Sequence, residues 1–490
     1  MLMRRLGKYL RTAFVALGLL SLGAAMACGQ DQQDQQEDTS KPKPAARAYP
    51  PIGSPDQDPN ADQDSTPSLQ PDTRPLTGVQ ESTLGSPEVL HSYWVPGFVY
   101  SNALSSTALN QPTTSGWNST SFIAGTMSLV QAWRHSQLFV NYTGGGFFST
   151  DSSEGSGYFH QFALTQAFKW RRWQLALIDQ FSYLPEAAFG FGGATGIAGP
   201  GIGGSLAPGL PGLQSNYQPN QSIFTSVGTR YTNSFTSQAT YLISPRSSIN
   251  VAGSYGILRF LEAGSIGTDD TIFNVGYNYS LSKKDTIGVL YRFTADRFPG
   301  NPQALNDHVV QAAYGRKITG RLALQMFGGP DITTFRVPVG SATQQVGIAG
   351  GATLNYAVGS NDRNNLALTY NHGVSNGSGV QIGSTTNLLG SVLTHRFSRH
   401  WSGTLNFGYA RNSALGSSAA GQNSQAFNSY NIGGDLRRPI GRSSILSLGY
   451  TAQIQTSTQA VCASGKCDTN FVAHRIFFAL SWHARPFVLR

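Results

Sequence analysis

The chain has 490 residues, only 12% of them charged, with 56 glycines, 27 phenylalanines, 20 tyrosines and a formal net charge of +9. A soluble domain usually carries about twice that charged fraction. No run reaches the roughly 18 apolar residues of a membrane-spanning helix, so a bilayer could be crossed only by strands closed into a barrel.

Residues 1–27 read as a signal peptide. Arg4, Arg5, Lys8 and Arg11 form its basic region, Ala13 to Leu22 its apolar core, and Ala25-Met26-Ala27 a small-residue cleavage site. Cys28 follows directly and is a candidate for acylation. Ala25 stands where lipoprotein signals carry Leu, so ordinary cleavage near Ala27 competes with that reading. Residues 28–92 are expected to be a disordered acidic tether rich in Pro, Gln and Asp, because they hold few aromatic or β-branched side chains to bury. The tether has 4 Lys or Arg against 11 Asp or Glu, and the signal carries +4, which leaves about +12 for residues 93–490. The excess cations are scattered over turns with no recognisable nucleic-acid module, so no nucleic-acid partner is expected.

From Trp94 to Arg485 the sequence repeats one beat: two alternating apolar and polar segments, a short basic turn, then a longer Gly/Ser/Asn-rich loop. Eighteen strand segments follow from it. The first five are Tyr93–Leu104, Ser119–Trp133, Gln137–Phe148, Gly157–Trp170 and Arg172–Leu184. Then come Ile223–Ile243, Ser247–Leu261, Asp270–Ser282, Thr286–Arg297 and Asp307–Ile318. Arg321–Thr333, Gln345–Val358, Asn365–Ser375 and Ser384–Phe397 are next. Trp401–Ser413, Phe427–Arg437, Ser443–Ser457 and Thr469–Arg485 complete the set. Tyr93–Leu104 is the weakest, since Pro96 removes a ladder donor, and without it the count tends to 16. An even count favours keeping it.

In the segment from Trp401, the residues Trp401, Leu405, Phe407 and Tyr409 share one face, and Ser402, Thr404, Asn406 and Gly408 the other. With so many strands showing small polar residues opposite the apolar ones, the apolar face is expected to look outward to lipid. Asp179 breaks the pattern, sharing a face with Leu175, Leu177 and Phe181, which predicts a bulge or a shifted register there. The short turns are basic: Arg134-His135, Arg171-Arg172, Ser244-Pro245-Arg246, Lys283-Lys284-Asp285, Thr319-Gly320-Arg321, Ser398-Arg399-His400 and Pro439-Ile440-Gly441-Arg442. Trp133, Trp170, Trp173, Trp401 and Trp482 lie beside them and read as an aromatic girdle at a membrane interface. Most acids, among them Asp151, Glu154, Asp270, Asp307, Asp331 and Asp468, fall toward the long-loop edge.

Alternation points Lys169, Arg292, Asp435, Arg437 and Arg475 into the lumen, either as a weakly cationic lining or as an ion network within the wall. The Gly/Pro-rich segment Glu186–Asn220 is the longest loop, either folding into the mouth or lying outside as a mobile loop. Cys462 and Cys467 are close in an exported chain and more consistent with a loop disulfide than with zinc. No cofactor or metal motif is recognisable. His372 and His395 fall on the outward face, where a barrel hydrolase would need a Ser–His pair, but no serine partner is evident.

The hairpin rhythm, aromatic girdle and export signal resemble those of porin-like outer-membrane β-barrels over about four fifths of the chain. The last segment, with Val472, Ile476, Phe478, Leu480 and Trp482 outward, is similar to the assembly signal of that class, although Val488-Leu489-Arg490 follow Phe487. The resemblance implies an all-β, closed antiparallel transmembrane barrel of 16–18 strands in the outer membrane of a Gram-negative-type bacterium. It implies a channel for passive or weakly anion-selective passage of small hydrophilic solutes, with outer-membrane lipid around it and a homo-oligomer as an option. A structural or interaction barrel, and more remotely a barrel hydrolase, are the alternatives.

Overall fold

A computed structural model describes residues 92–108, 111–150, 156–184, 229–261, 266–339, 342–358, 363–377, 381–415, 426–457 and 471–489. The signal peptide, the tether, Cys28, Cys462, Cys467 and the Glu186–Asn220 loop lie outside them.

Strong alternation over segments of 12 or more residues yields strands. They are β1 (Ser92–Ala108), β2 (Gln111–Ala132), β3 (Ser136–Ser149), β4 (Ser156–Lys169), β5 (Trp173–Leu184) and β6 (Arg230–Ser244). β7 (Ser247–Phe260), β8 (Thr268–Ser280), β9 (Asp285–Arg297), β10 (Ala304–Lys317), β11 (Leu322–Val339) and β12 (Ala342–Val358) continue the wall. β13 (Asn364–Ser375), β14 (Ser384–Arg396), β15 (Ser402–Ala414), β16 (Ala426–Ile440), β17 (Ser444–Ser457), β18 (Phe471–His483) and the short β19 (Phe487–Leu489) end it. Each of β1 to β18 is hydrogen-bonded antiparallel to its sequence neighbours, β1 also pairs with β18, and β19 pairs with β1. The sheet is therefore a closed barrel of 18 wall strands, with no free edge to satisfy in an apolar medium.

Pro96 explains how the weakest segment becomes the closing strand. β1 pairs with β18 up to Gly97↔His483 and resumes on β19 at Trp94↔Phe487. The partner strand has one extra residue across this gap, which holds Pro486. Proline thus sits at a bulge, where a missing donor costs least. Ala484 N–H donates to Pro96 O at 2.9 Å, and Trp94 stacks on Phe487 with ring centroids 5.1 Å apart. The tail past Trp482 is thus part of the seam.

The register fixes the faces. On β8, Thr268, Asp270, Ile272, Asn274 and Asn278 are buried, while Thr271, Phe273, Tyr277 and Tyr279 are exposed. The outward face is apolar, as β17 and β18 show with Leu448, Tyr450, Ile476, Phe478, Leu480 and Trp482 all exposed. At Asp179 the ladders to β4 and β6 run without a register shift, so the expected bulge is absent. Asp179 faces outward and accepts a hydrogen bond from Asn233 Nδ2 at 3.1 Å.

The short turns share a local device that alternation does not reveal. A Ser or Thr oxygen accepts the backbone N–H two residues on, at Ser244 with Arg246, Ser282 with Lys284, Thr319 with Arg321 and Ser398 with His400. This side-chain turn places a basic residue two positions later each time. The connection after β16 is shorter than expected: Pro439 and Ile440 still pair with β17, and Gly441 at φ 71° makes the turn.

Candidate functional site: the inner wall and its outer mouth

Cross-strand register places Lys169, Arg292, Asp435, Arg437 and Arg475 on the inner face, each opposite another inward residue. They do not form one cluster. Arg437 Nε donates to Asp435 Oδ2 at 2.7 Å, an ion pair near the short-turn end. Arg475 is buried and lies over the Phe122 ring at 5.8 Å. Phe122, Phe147, Phe159 and Phe477 pack together there with Ala103 and Ala124. A second inward apolar group is Ile178, Ala252, Ile272 and Leu290. The inner face is thus not uniformly polar: amide-bearing residues such as Gln238, Asn250, Asn278 and Asn431 alternate with apolar patches.

Arg292 belongs to the outer mouth. It stands 3.8 Å from Asp307, whose Oδ1 accepts from Thr333 Oγ1 at 3.0 Å; the same hydroxyl reaches Asp331 at 3.4 Å. Asp270 and Asp296 face each other as direct partners across β8 and β9. Asp270, Asp307 and Asp331, expected toward the long-loop edge, lie in that half of their strands as buried inner-wall residues.

Two short pieces after β13, residues 376–377 and 381–383, form a strap that reaches this acidic sector. Asn376 Nδ2 donates to Asp270 Oδ2 at 3.0 Å, and both residues are buried. Gln381 N–H donates to Gly377 O and Gly383 N–H to Asn376 O. Ile382 packs on an apolar cluster of Phe298, Leu305, Phe335 and Leu415. Gly377 and Gly383 take φ of 83° and 78°, left-handed values that suit glycine. At Gly383 a Cβ would sit 2.4 Å from Leu305 Cδ1 and 2.7 Å from Leu415 Cδ1, so the strap needs glycine for approach as well as for angle. Just below, a Cβ on Gly373 would lie 3.9 Å from Arg292 Nη2, which brings β9 and β13 together although they are not sheet neighbours.

At the short-turn end, Trp133, Trp170, Trp173, Trp401 and Trp482 face out and are exposed. Trp170 stacks on Phe168 at 5.7 Å, Trp173 meets Tyr241 at 4.6 Å, and Arg438 lies 5.3 Å over Trp401. His372 and His395 sit at opposite ends of the wall: His372 Nδ1 pairs with Asn387 Oδ1 at 2.8 Å, and His395 with Asn364 Oδ1. Their side-chain hydrogen-bond partners among the described residues are asparagines, not serines.

Neither a protein-family model nor a curated protein sequence matches the chain. Among solved structures it is similar to OpdK of Pseudomonas aeruginosa in a structure with vanillate, at 8% identity and TM-score 0.41 over 80% of this chain and 99% of that one. It is similar to OccAB3 of Acinetobacter baumannii, at 9% identity and TM-score 0.41 over 81% and 99%. The ferric-catecholate import receptor Fiu of E. coli K12 gives 10% identity and TM-score 0.38 over 79% and 81%. At such identities the likeness is one of fold alone.

Proposed function

We propose that the protein is an outer-membrane channel through which small hydrophilic solutes pass with weak preference for anions. The observation that carries this reading is the arrangement of faces on a closed 18-strand wall. Apolar side chains point out, a Trp and basic rim marks one edge, and charged and amide side chains line the inside. A wall of that kind is stable only with lipid outside and water within, and 18 strands are enough for an aqueous path. Among the described strand residues, inward cations (Lys169, Arg230, Arg292, Lys317, Arg396, Arg437 and Arg475) outnumber inward acids (Asp270, Asp296, Asp307, Asp331 and Asp435), which supports the anion preference. The histidine pairings favour transport over hydrolysis.

The test is conductance in planar bilayers with a salt gradient. A steady conductance with a reversal potential displaced toward the anion limit is expected. A barrel that inserts and carries no current would instead leave an interaction role.

A further inference from the structure

The outward face carries a ring of side-chain hydrogen bonds at one level, and it accounts for Asp179. In six hairpins a residue on the rising strand meets the diagonal neighbour on the descending one. Tyr142 pairs with His160 Nδ1 at 2.9 Å, Tyr291 with His308 Nδ1 at 2.9 Å, and Tyr450 with His474 Nδ1 at 2.7 Å. Tyr370 donates to Asn387, which His372 Nδ1 also meets. Tyr409 donates to Asn428 at 3.1 Å, and Asn233 to Asp179.

The level is constant. His160, His308 and His474 each stand nine residues from the short-turn end of their strands, at Lys169, Lys317 and His483. Tyr142, Tyr291, Tyr370, Tyr450 and Asp179 each stand six residues from the start of theirs. At about 2.5 Å of height per residue in a strand tilted ~40°, the histidines lie about 22 Å above the short turns, close to the ~25 Å height of an apolar barrel band. Tyr158 and Val472, two residues farther out than His160 and His474, are still exposed, so the ring lies near the outer edge of the oily wall.

We propose that this ring is a headgroup collar whose histidines bind the phosphates of outer-leaflet lipid. It rests on the outer-membrane reading above. In each case Nδ1 is engaged inside the ring, so Nε2 is the nitrogen turned to an outside partner. At His160, His308 and His474 a tyrosine hydroxyl donating to Nδ1 leaves the ring proton on Nε2, a donor suited to a phosphate oxygen, whereas His372 Nδ1 donates to the Asn387 oxygen and so keeps its ring proton on Nδ1. Charge complements it: Arg297 and Arg411 occupy outward positions near the outer ends of β9 and β15, while Arg259 at the outer end of β7 is ion-paired with Asp269 at 2.6 Å. A stabilising device internal to the wall would need only Nδ1.

The test uses the full mature chain in phosphatidylcholine vesicles with and without bisphosphorylated lipid A. Flotation and alkaline extraction first report insertion, so a chain that fails to insert overturns the membrane reading, not merely the collar. In inserted protein, lipid A should raise the heat-unfolding midpoint by several degrees, and inorganic phosphate should not. H160F/H308F/H474F keeps the aromatic ring and removes Nε2, and should lose more than half of that rise. Should the variant fold poorly, 15N-histidine spectra of the unaltered protein decide: lipid A should move the Nε2 signals of His160, His308 and His474, and leave those of His135 and His400 in place. An undiminished rise in the variant, equal response to free phosphate, or unmoved Nε2 signals would overturn the collar.

Discussion

The two rims of the wall are built by different means. The short-turn rim is local: Ser244, Ser282, Thr319 and Ser398 each organise their own turn, and Trp side chains pack on residues near in sequence or on the adjacent strand. The outer rim is made by long-range contacts, with Asn376 reaching Asp270 and Ile382 resting on Leu305 and Leu415. A local rim tolerates single changes, whereas a rim of buried long-range contacts transmits them to the lumen. Each substitution below either sharpens that contrast or breaks it.

The largest effect is expected from Gly329→Ala on β11. Its Cβ would stand 1.9 Å from the backbone oxygen of Val310, which no side-chain rotation relieves. The loss should reach or exceed the upper end of the about 1–3 kcal/mol of overpacked sites, seen as a missing heat-modifiable folded band. Gly347→Ala, with open space around its Cβ, is the control and should fold normally.

Next is Asn376→Leu. It leaves the Asp270 carboxylate buried without that donor, at a cost of about 1–3 kcal/mol, and should loosen the strap. Larger single-channel conductance is the expected readout; unchanged conductance would mean the strap does not limit flow. Arg437→Gln removes one cation near the short-turn end and its 2.7 Å pair with Asp435. Stability should fall by about 1 kcal/mol or less, while the reversal potential moves toward the cation limit. The smallest change is Trp401→Leu. It removes the ring beneath Arg438, worth about 0.5–1 kcal/mol, and should lower the unfolding midpoint slightly with conductance intact.

The contrast also governs what could be read from the amino-acid sequence. Strand identity and facing were legible because a two-residue period is a local signal: the alternation of Leu446, Leu448 and Tyr450 with Ser447 and Gly449 is enough to orient β17. The five girdle tryptophans follow from the same beat. Asp179 looked like an error because its partner, Asn233, comes from the next strand across a long connection, and only register makes the pair. The mouth escaped for a similar reason. Length drew attention to Glu186–Asn220, whereas the residues of the strap are few and their anchors are Asp270 on β8, Leu305 on β10 and Leu415 just past β15. Its one local trace is the pair of glycines, Gly377 and Gly383, at left-handed angles.

The join between β1 and β18 has a further consequence. It brings Ser92 beside Leu489 and Gly97 beside His483, so the closing ladder zips the first strand of the wall to its last. Ring closure must then wait until β18 has been made. Until then two unsatisfied strand margins stay open, each a template for wrong pairing.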